Sequence, residues 1–278
     1  MDYVTLAPGL PASSRLGFGC GSVMGRVSRG ESERAIAAAL DHGITHFDVA
    51  RAYGYGEAEA LLGAALKGHR DRVVVASKFG LTAPRGSGML RHVKPLAQGL
   101  AAALPALRPI LRAAVGGNAR AADRFSVAAA QASLDQSLAA LATGYVDILL
   151  LHDCEADDLT DELTGFLDAQ IAAGKIRAYG AATSIEAVAA LERRRGVTML
   201  YQFANSLSAR NAETLPGAAR RFIAHSPFAG AARLGTPHAE MLQWALAQPS
   251  VGVVLCSMLD EAHLRANLAV AGAPGAVD

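Results

Sequence analysis

Asp48, Tyr53, Lys78 and His152 are the residues whose types and spacing could do chemistry together. Asp48 follows the apolar run Ile44-Thr45-His46-Phe47, Lys78 closes Val73-Val74-Val75-Ala76-Ser77, and His152 closes Ile148-Leu149-Leu150-Leu151. Tyr53 stands in the loop just beyond Asp48. A titratable side chain that ends an otherwise buried strand is costly unless it is paired or used. Tyrosine is a poor acid at neutral pH, with a reference pKa of about 10. A Lys⁺ about 4 Å away attracts the phenolate by about 4 kcal/mol at an effective dielectric of about 20. Desolvation opposes that attraction, and the expected net result is a lowered Tyr53 pKa. Asp48 would hold Lys78 charged and in place, and His152 would hydrogen-bond and orient a substrate oxygen. Such a set can protonate a carbonyl oxygen as hydride reaches its carbon. No side chain supplies hydride, so a nicotinamide cofactor is implied.

Taken singly, each residue has a plainer explanation. Asp48 could cap the helix that starts near Glu57, Tyr53 could pack over a barrel rim, Lys78 could form an ordinary ion pair, and His152 could bond a carbonyl. The case for chemistry rests on elements that bring the four together. One pattern repeats along the chain: an amphipathic helix, a glycine, then an apolar strand. Gly43, Gly144, Gly174 and Gly196 stand at these junctions, where a left-handed residue ends a helix. Val127, Ala130, Leu134, Leu138 and Leu141 fall on one helical face, as do Leu159, Leu163, Leu167 and Ile171. Ser126 and Ser184 are placed as N-caps. Strands are expected at 15–21, 44–50, 73–80, 146–153, 176–183, 198–206, 222–228 and 251–257. Most are continuous apolar runs, as for parallel strands covered on both sides. Eight such strands with intervening helices predict a (β/α)8 barrel, read as a single domain over 1–278. An open doubly wound sheet is the alternative, and the absence of a Gly-x-Gly-x-x-Gly turn after an early strand argues against it. Strand alternation then sends Val74 and Ala76 inward with Lys78, and Ile148 and Leu150 inward with His152. His46 falls one layer below Asp48 and reads as a satisfied interior histidine.

The chain has 278 residues, 51% hydrophobic and 18% charged, enough to bury a substantial core. A net charge of +1 gives no general reason to expect a nucleic-acid partner. Cys20, Cys154 and Cys256 are scattered, without the spacing of metal ligands or a disulfide framework. Residues 1–10 lack a basic region followed by an apolar stretch, and no run is long enough to cross a membrane. A cytoplasmic protein is expected. One segment breaks the pattern. Residues 83–122, after the third strand, hold Arg85, Arg91, Lys94, Arg108, Arg112 and Arg120 but no acidic residue. The segment reads as a helical lid over the active face, a mobile insertion, or a docking element for a membrane or anionic partner.

The combined pattern resembles the aldo-keto reductase superfamily. Asp48-Val49-Ala50-Arg51-Ala52-Tyr53-Gly54, Ser77-Lys78-Phe79-Gly80 and Leu150-Leu151-His152-Asp153 are similar to that family's catalytic segments. The likeness continues through Gly174-Lys175-Ile176-Arg177-Ala178-Tyr179-Gly180 and His225-Ser226-Pro227-Phe228-Ala229-Gly230, and it spares only 83–122. The resemblance implies a barrel that binds NADP(H) or NAD(H) at its C-terminal face. Tyr53 would be the general acid/base, with Asp48, Lys78 and His152 as partners. By the same resemblance, Gln202 lies near the nicotinamide carboxamide. Ser226, Phe228 and Gly230 belong to the loop that passes the pyrophosphate, and Asn267 closes the likeness. His225 stands where the family often has an aromatic residue stacked on the nicotinamide. Ala182-Thr183 replaces the frequent Ser-Asn pair. Ser257 and His263 occupy the positions of the usual basic residues at the 2′-phosphate, with Arg265 one helical face away. The substrates implied are aldehydes, ketones or sugar alcohol groups. Two rival readings stand beside this one: a Schiff-base aldolase-type barrel using Lys78, and a slow-turnover regulatory protein that binds a nicotinamide cofactor.

Overall fold

The computed structural model describes residues 1–25, 27–83, 123–195, 199–215 and 222–272. Eight parallel strands close into a barrel: β1 Leu16–Gly19, β2 His46–Asp48, β3 Val74–Phe79, β4 Val146–His152, β5 Ile176–Ala182, β6 Leu200–Ala204, β7 Phe222–His225 and β8 Val251–Cys256. β8 pairs with β1 through Val254 opposite Leu16 and Cys256 opposite Phe18, which seals the sheet and removes its edges. Helices α1 Arg29–Asp41, α2 Ala58–Ala65, α3 Val127–Leu141, α4 Asp161–Ala172, α5 Ile185–Arg195, α6 His238–Ala247 and α7 Glu261–Gly272 cover the outside. Each expected strand is present, with its ends trimmed by a few residues.

Side chains divide by strand parity. Val74, Ala76, Ile148, Leu150, Leu200, Ile223, Val253 and Leu255 fill the barrel interior. Phe18, Phe47, Val75, Phe79, Leu149 and Leu151 point outward and pack under the helices. The interior set is aliphatic and compact, so the barrel is a filled core with a floor beneath the rim residues. The expected alternation around Lys78 and His152 is the one observed.

An element absent from the sequence reading closes the lower end. Tyr3–Val4 and Ser13–Ser14 form a two-stranded antiparallel ribbon, and Val4, Leu6 and Leu10 join the interior cluster as a plug. Strands of two residues carry no periodicity, which is why the pattern did not announce them. Ser126 and Ser184 cap α3 and α5 as expected, their hydroxyls accepting from the backbone N–H groups of Ala129 and Ala187. Gly43 and Gly174 adopt the left-handed conformation expected of them. Gly144 does not. α3 ends earlier, on left-handed Ala142 at φ 51°, where the Cβ costs about 1 kcal/mol. Gly196 lies outside the described residues. Ile171 closes the α4 face only partly, at 38% exposure. The proposed lid or insertion at 83–122 falls, beyond Ala83, outside the described residues.

Candidate active site

The upper ends of β2, β3 and β4 bring Asp48, Lys78 and His152 to one rim, and the turn after β2 swings Tyr53 back over them. That turn is built from left-handed residues: Gly54 at φ 56°, Tyr55 at φ 60° and Gly56 at φ 90°. A Cβ on Gly54 would stand 2.9 Å from Met24 Cβ and 3.0 Å from the Val23 carbonyl oxygen, so glycine lets the turn dock on the loop after β1. Lys78 is almost wholly buried. Its Nζ donates to Asp48 Oδ1 at 2.5 Å, to the Val49 carbonyl at 3.2 Å and to Tyr53 Oη at 3.3 Å. Gln202 Nε2 donates to the second Asp48 oxygen at 2.9 Å. The His152 ring meets Tyr53 edge-on, with centroids 6.0 Å apart. The sequence-predicted quartet is therefore one contiguous cluster. Asp48 is not a helix cap, because α2 has no side-chain cap hydrogen bond.

Electrostatics correct one expectation. Burial pushes the Tyr53 hydroxyl above the ordinary phenol value, and the opposing pull of Lys78 does not prevail. The net Tyr53 pKa is therefore raised rather than lowered, although Lys78 itself acts to lower it. Desolvation outweighs the Lys78 charge even though Tyr53 is only half-buried and borders the cleft. Burial also acts to lower the Lys78 pKa, but the Asp48 charge, Tyr53 and the hydrogen bonds together hold it above the usual ammonium value. Burial first, then the Lys78 charge, push His152 down to about 3, so its imidazole is neutral at physiological pH. His46 is fully buried and pushed down to about 4 by desolvation. Its Nδ1 meets Ser13 Oγ at 3.3 Å while Nε2 has no partner, so this interior histidine is only half satisfied.

Above the quartet opens a cleft of about 1030 Å³. Gln202, His225, Ser226, Phe228 and Ser257, expected at the cofactor, line it. Gly230, His263 and Asn267 do not. Gly230, at φ 81°, instead lets the loop after β7 press on Ser208, whose Oγ would lie 2.7 Å from an added Cβ. His263 is exposed on α7, Asn267 is half-buried there, and Arg265 is engaged by Glu261 at 2.7 Å. The sequence reading missed Gly19, Gly21, Leu81, Asp153, Ser184 and Glu186 as lining residues. The alternation Gly17-x-Gly19-x-Gly21 was the available signal, since it removes side chains from one inward row of β1. Two non-glycine residues of the cleft wall, Asp153 at φ 60° and Ser226 at φ 59°, hold left-handed backbone, a strain that collects at ligand sites.

The lining fits a nicotinamide cofactor. Gln202 Oε1 and His152 Nδ1 are buried without hydrogen-bond partners, and both residues belong to the cleft wall. An unsatisfied buried acceptor costs about 1–3 kcal/mol, which a ligand amide or hydroxyl can relieve. The cysteines offer no rival nucleophile. Burial raises the Cys154 and Cys256 thiols to about 12 and Cys20 higher still, so none is a thiolate near neutral pH.

The Aldo/keto reductase family model matches residues 15–236. Over 186 residues, 65% of this chain, the sequence is 30% identical to the aldo-keto reductase YhdN of Bacillus subtilis. It is 35% identical over 153 residues, 52% of this chain, to a 6-dehydroglucose reductase of Agrobacterium fabrum. These matches span 46% and 41% of the two relatives' own lengths. An aldo-keto reductase from Klebsiella pneumoniae, solved in complex with NADPH, superposes with a TM-score of 0.67 at 23% identity, covering 98% of this chain and 90% of that one. At that identity the likeness concerns the fold.

Proposed function

The chain belongs to the aldo/keto reductase family, and from that premise we propose that it transfers a hydride between NADP(H) or NAD(H) and a carbonyl carbon. The observation that carries the proposal is Lys78 Nζ held between Asp48 Oδ1 at 2.5 Å and Tyr53 Oη at 3.3 Å, beneath an open cleft. Tyr53 is the general acid. Its raised pKa keeps the proton on Oη, ready for the carbonyl oxygen, and Lys78 stabilises the phenolate that remains. Asp48, itself bonded by Gln202, keeps Lys78 charged and fixed. Neutral His152 donates an N–H to the same substrate oxygen and orients it. Gln202, His225, Ser226, Phe228 and Ser257 would hold the cofactor, which supplies the hydride when bound. In the reductive direction the carbonyl carbon gains hydride, its oxygen gains the Tyr53 proton, and the phenolate is reprotonated from solvent.

The relative that reduces 6-dehydroglucose motivates free sugars and sugar-derived aldehydes as substrates beside simple aldehydes and ketones. Among the described residues, neutral Ser257 and exposed His263 make no dedicated clamp for a 2′-phosphate, so both nicotinamide cofactors are proposed to serve. A Schiff-base role for Lys78 is disfavoured. That chemistry needs a neutral amine, and the Asp48 contact stabilises the cation. The slow-turnover regulatory reading makes a different forecast: tight cofactor binding with no consumption. Fluorescence titration with NADPH and NADH, followed by a carbonyl and sugar panel monitored at ~340 nm, separates the readings. Binding with turnover is expected. Failure to bind either cofactor would sink the proposal.

A further inference from the structure

A second polar group lies on the outer side of the same strands, in the mostly apolar layer under the helices. Glu59, at the start of α2, is 1% exposed. Its Oε1 accepts from Ser77 Oγ at 2.6 Å and its Oε2 from Arg51 Nη1 at 2.7 Å. Arg51 Nη2 continues to Gln136 Oε1 on α3 at 2.9 Å. A buried ion pair is weak evidence for stability, because desolvation offsets much of its attraction. It does constrain geometry, and what this one joins is specific. Ser77 is the chain neighbour of Lys78, and parity turns Ser77 outward while Lys78 turns in. Arg51 stands two residues before Tyr53, in the loop that carries it. One carboxylate therefore grips the lysine strand with one oxygen and the tyrosine loop with the other.

We infer that Glu59 is a positioning residue that sets the distance between Lys78 Nζ and Tyr53 Oη, working through Ser77 and Arg51. The inference rests on the reading of Tyr53 as the proton donor. The Tyr53 turn needs such a tether. Its own backbone hydrogen bonds, from Tyr53 N–H to the Ala50 carbonyl at 3.0 Å and from Glu57 N–H to the Gly54 carbonyl at 3.1 Å, are local to the turn, and the Glu59 contacts add a link from the turn to the Lys78 strand. Arg51 is the cation best suited to that task, since its planar fork holds Glu59 with one nitrogen and Gln136 with the other.

The test uses Glu59→Leu, which cuts both links, and Glu59→Gln, which can keep both without the charge. In a crystal structure of Glu59→Leu the Lys78–Tyr53 separation should exceed about 3.5 Å, the limit of a hydrogen bond. With the fastest substrate of the carbonyl panel, kcat should fall about ten- to a hundredfold, while the NADPH dissociation constant stays within about threefold. Glu59→Gln should recover most of the rate. Should Glu59→Leu not fold, Ser77→Ala severs the strand link alone, and the same separation and rate are read from it. In a Tyr53→Phe background, Glu59→Leu should cost little more, because residues acting through one another are not additive. An unchanged separation, or the same fold-loss with and without the Tyr53 hydroxyl, would overturn the inference. Full turnover by Tyr53→Phe alone would instead remove the proton-donor reading, and the measured separation would still decide the role of Glu59.

Discussion

The Lys78–Asp48 pair couples stability to chemistry in a way that single substitutions can separate. Both side chains are nearly solvent-free, at 2% and 4% exposure. Removing one partner strands the other charge in a low-dielectric corner, which costs about 3–5 kcal/mol. Lys78→Met should therefore lower unfolding stability by that order as well as abolish turnover. The double variant Asp48→Asn with Lys78→Met should regain most of the stability and none of the activity. Urea denaturation alongside the carbonyl assay distinguishes the two effects, and a double variant as unstable as the single one would contradict the ion-pair account. The pH behaviour of the reaction follows from the raised Tyr53 pKa. The acid form persists through neutral pH, so the reductive kcat should stay flat there and decline only above about pH 10. A decline near neutrality would show that another group is the proton donor.

At the level of elements, the turn after β2 carries the most constraint in the fewest residues. Gly54→Ala places a Cβ in left-handed backbone at φ 56° and presses it on Met24 and the Val23 carbonyl. The expected result is about 2 kcal/mol of destabilisation, together with a loss of kcat as Tyr53 is lifted off Lys78. Thermal unfolding and turnover should fall together, and a variant with native stability and rate would show that the turn is not strained. The strands and their polar ends were legible because a charge that closes an apolar run stands out along the chain. The N-terminal ribbon was not, since two-residue strands leave no period and the plug residues Val4, Leu6 and Leu10 have none of their own. The Glu59 tether was invisible for another reason. Arg51, Glu59, Ser77 and Gln136 come from four segments, and only packing makes them neighbours. The direction of the Tyr53 pKa shift failed on the same ground, because Lys78 could be named from sequence but the depth of burial could not.

For the whole molecule, the closed barrel makes a sealed interior in which histidines without a carboxylate partner stay neutral, whereas the paired Lys78 stays charged. His46 is held near 4 and His152 near 3, below the ordinary histidine value of about 6.5. The unfolded chain takes up these protons as pH falls through about 6.5, while the folded chain takes them up only near those lower values. Stability present at neutral pH is thus lost progressively from about pH 6.5 down to about pH 4 for His46 and about pH 3 for His152. His46, fully buried, accounts for about 3 kcal/mol of that loss. Urea denaturation across this range should show a clearly shallower pH slope for His46→Gln than for the parent. Equal slopes would mean that carboxylates elsewhere govern the acid limit. A closed, plugged barrel also explains how three strand ends and the turn after β2 can share one rim. The sheet has no edge to splay, so the Lys78 and His152 strands keep their register of Lys78 opposite Leu150.

The central claim is that Tyr53 supplies the proton while Lys78 and Asp48 make that possible, and a single-turnover experiment on Tyr53→Phe tests it most directly. The variant should bind NADPH with nearly parental affinity, by fluorescence. On mixing with the best carbonyl substrate, its oxidation of bound NADPH should slow by at least about a thousandfold. Oxidation at the parental rate with binding intact would contradict the account.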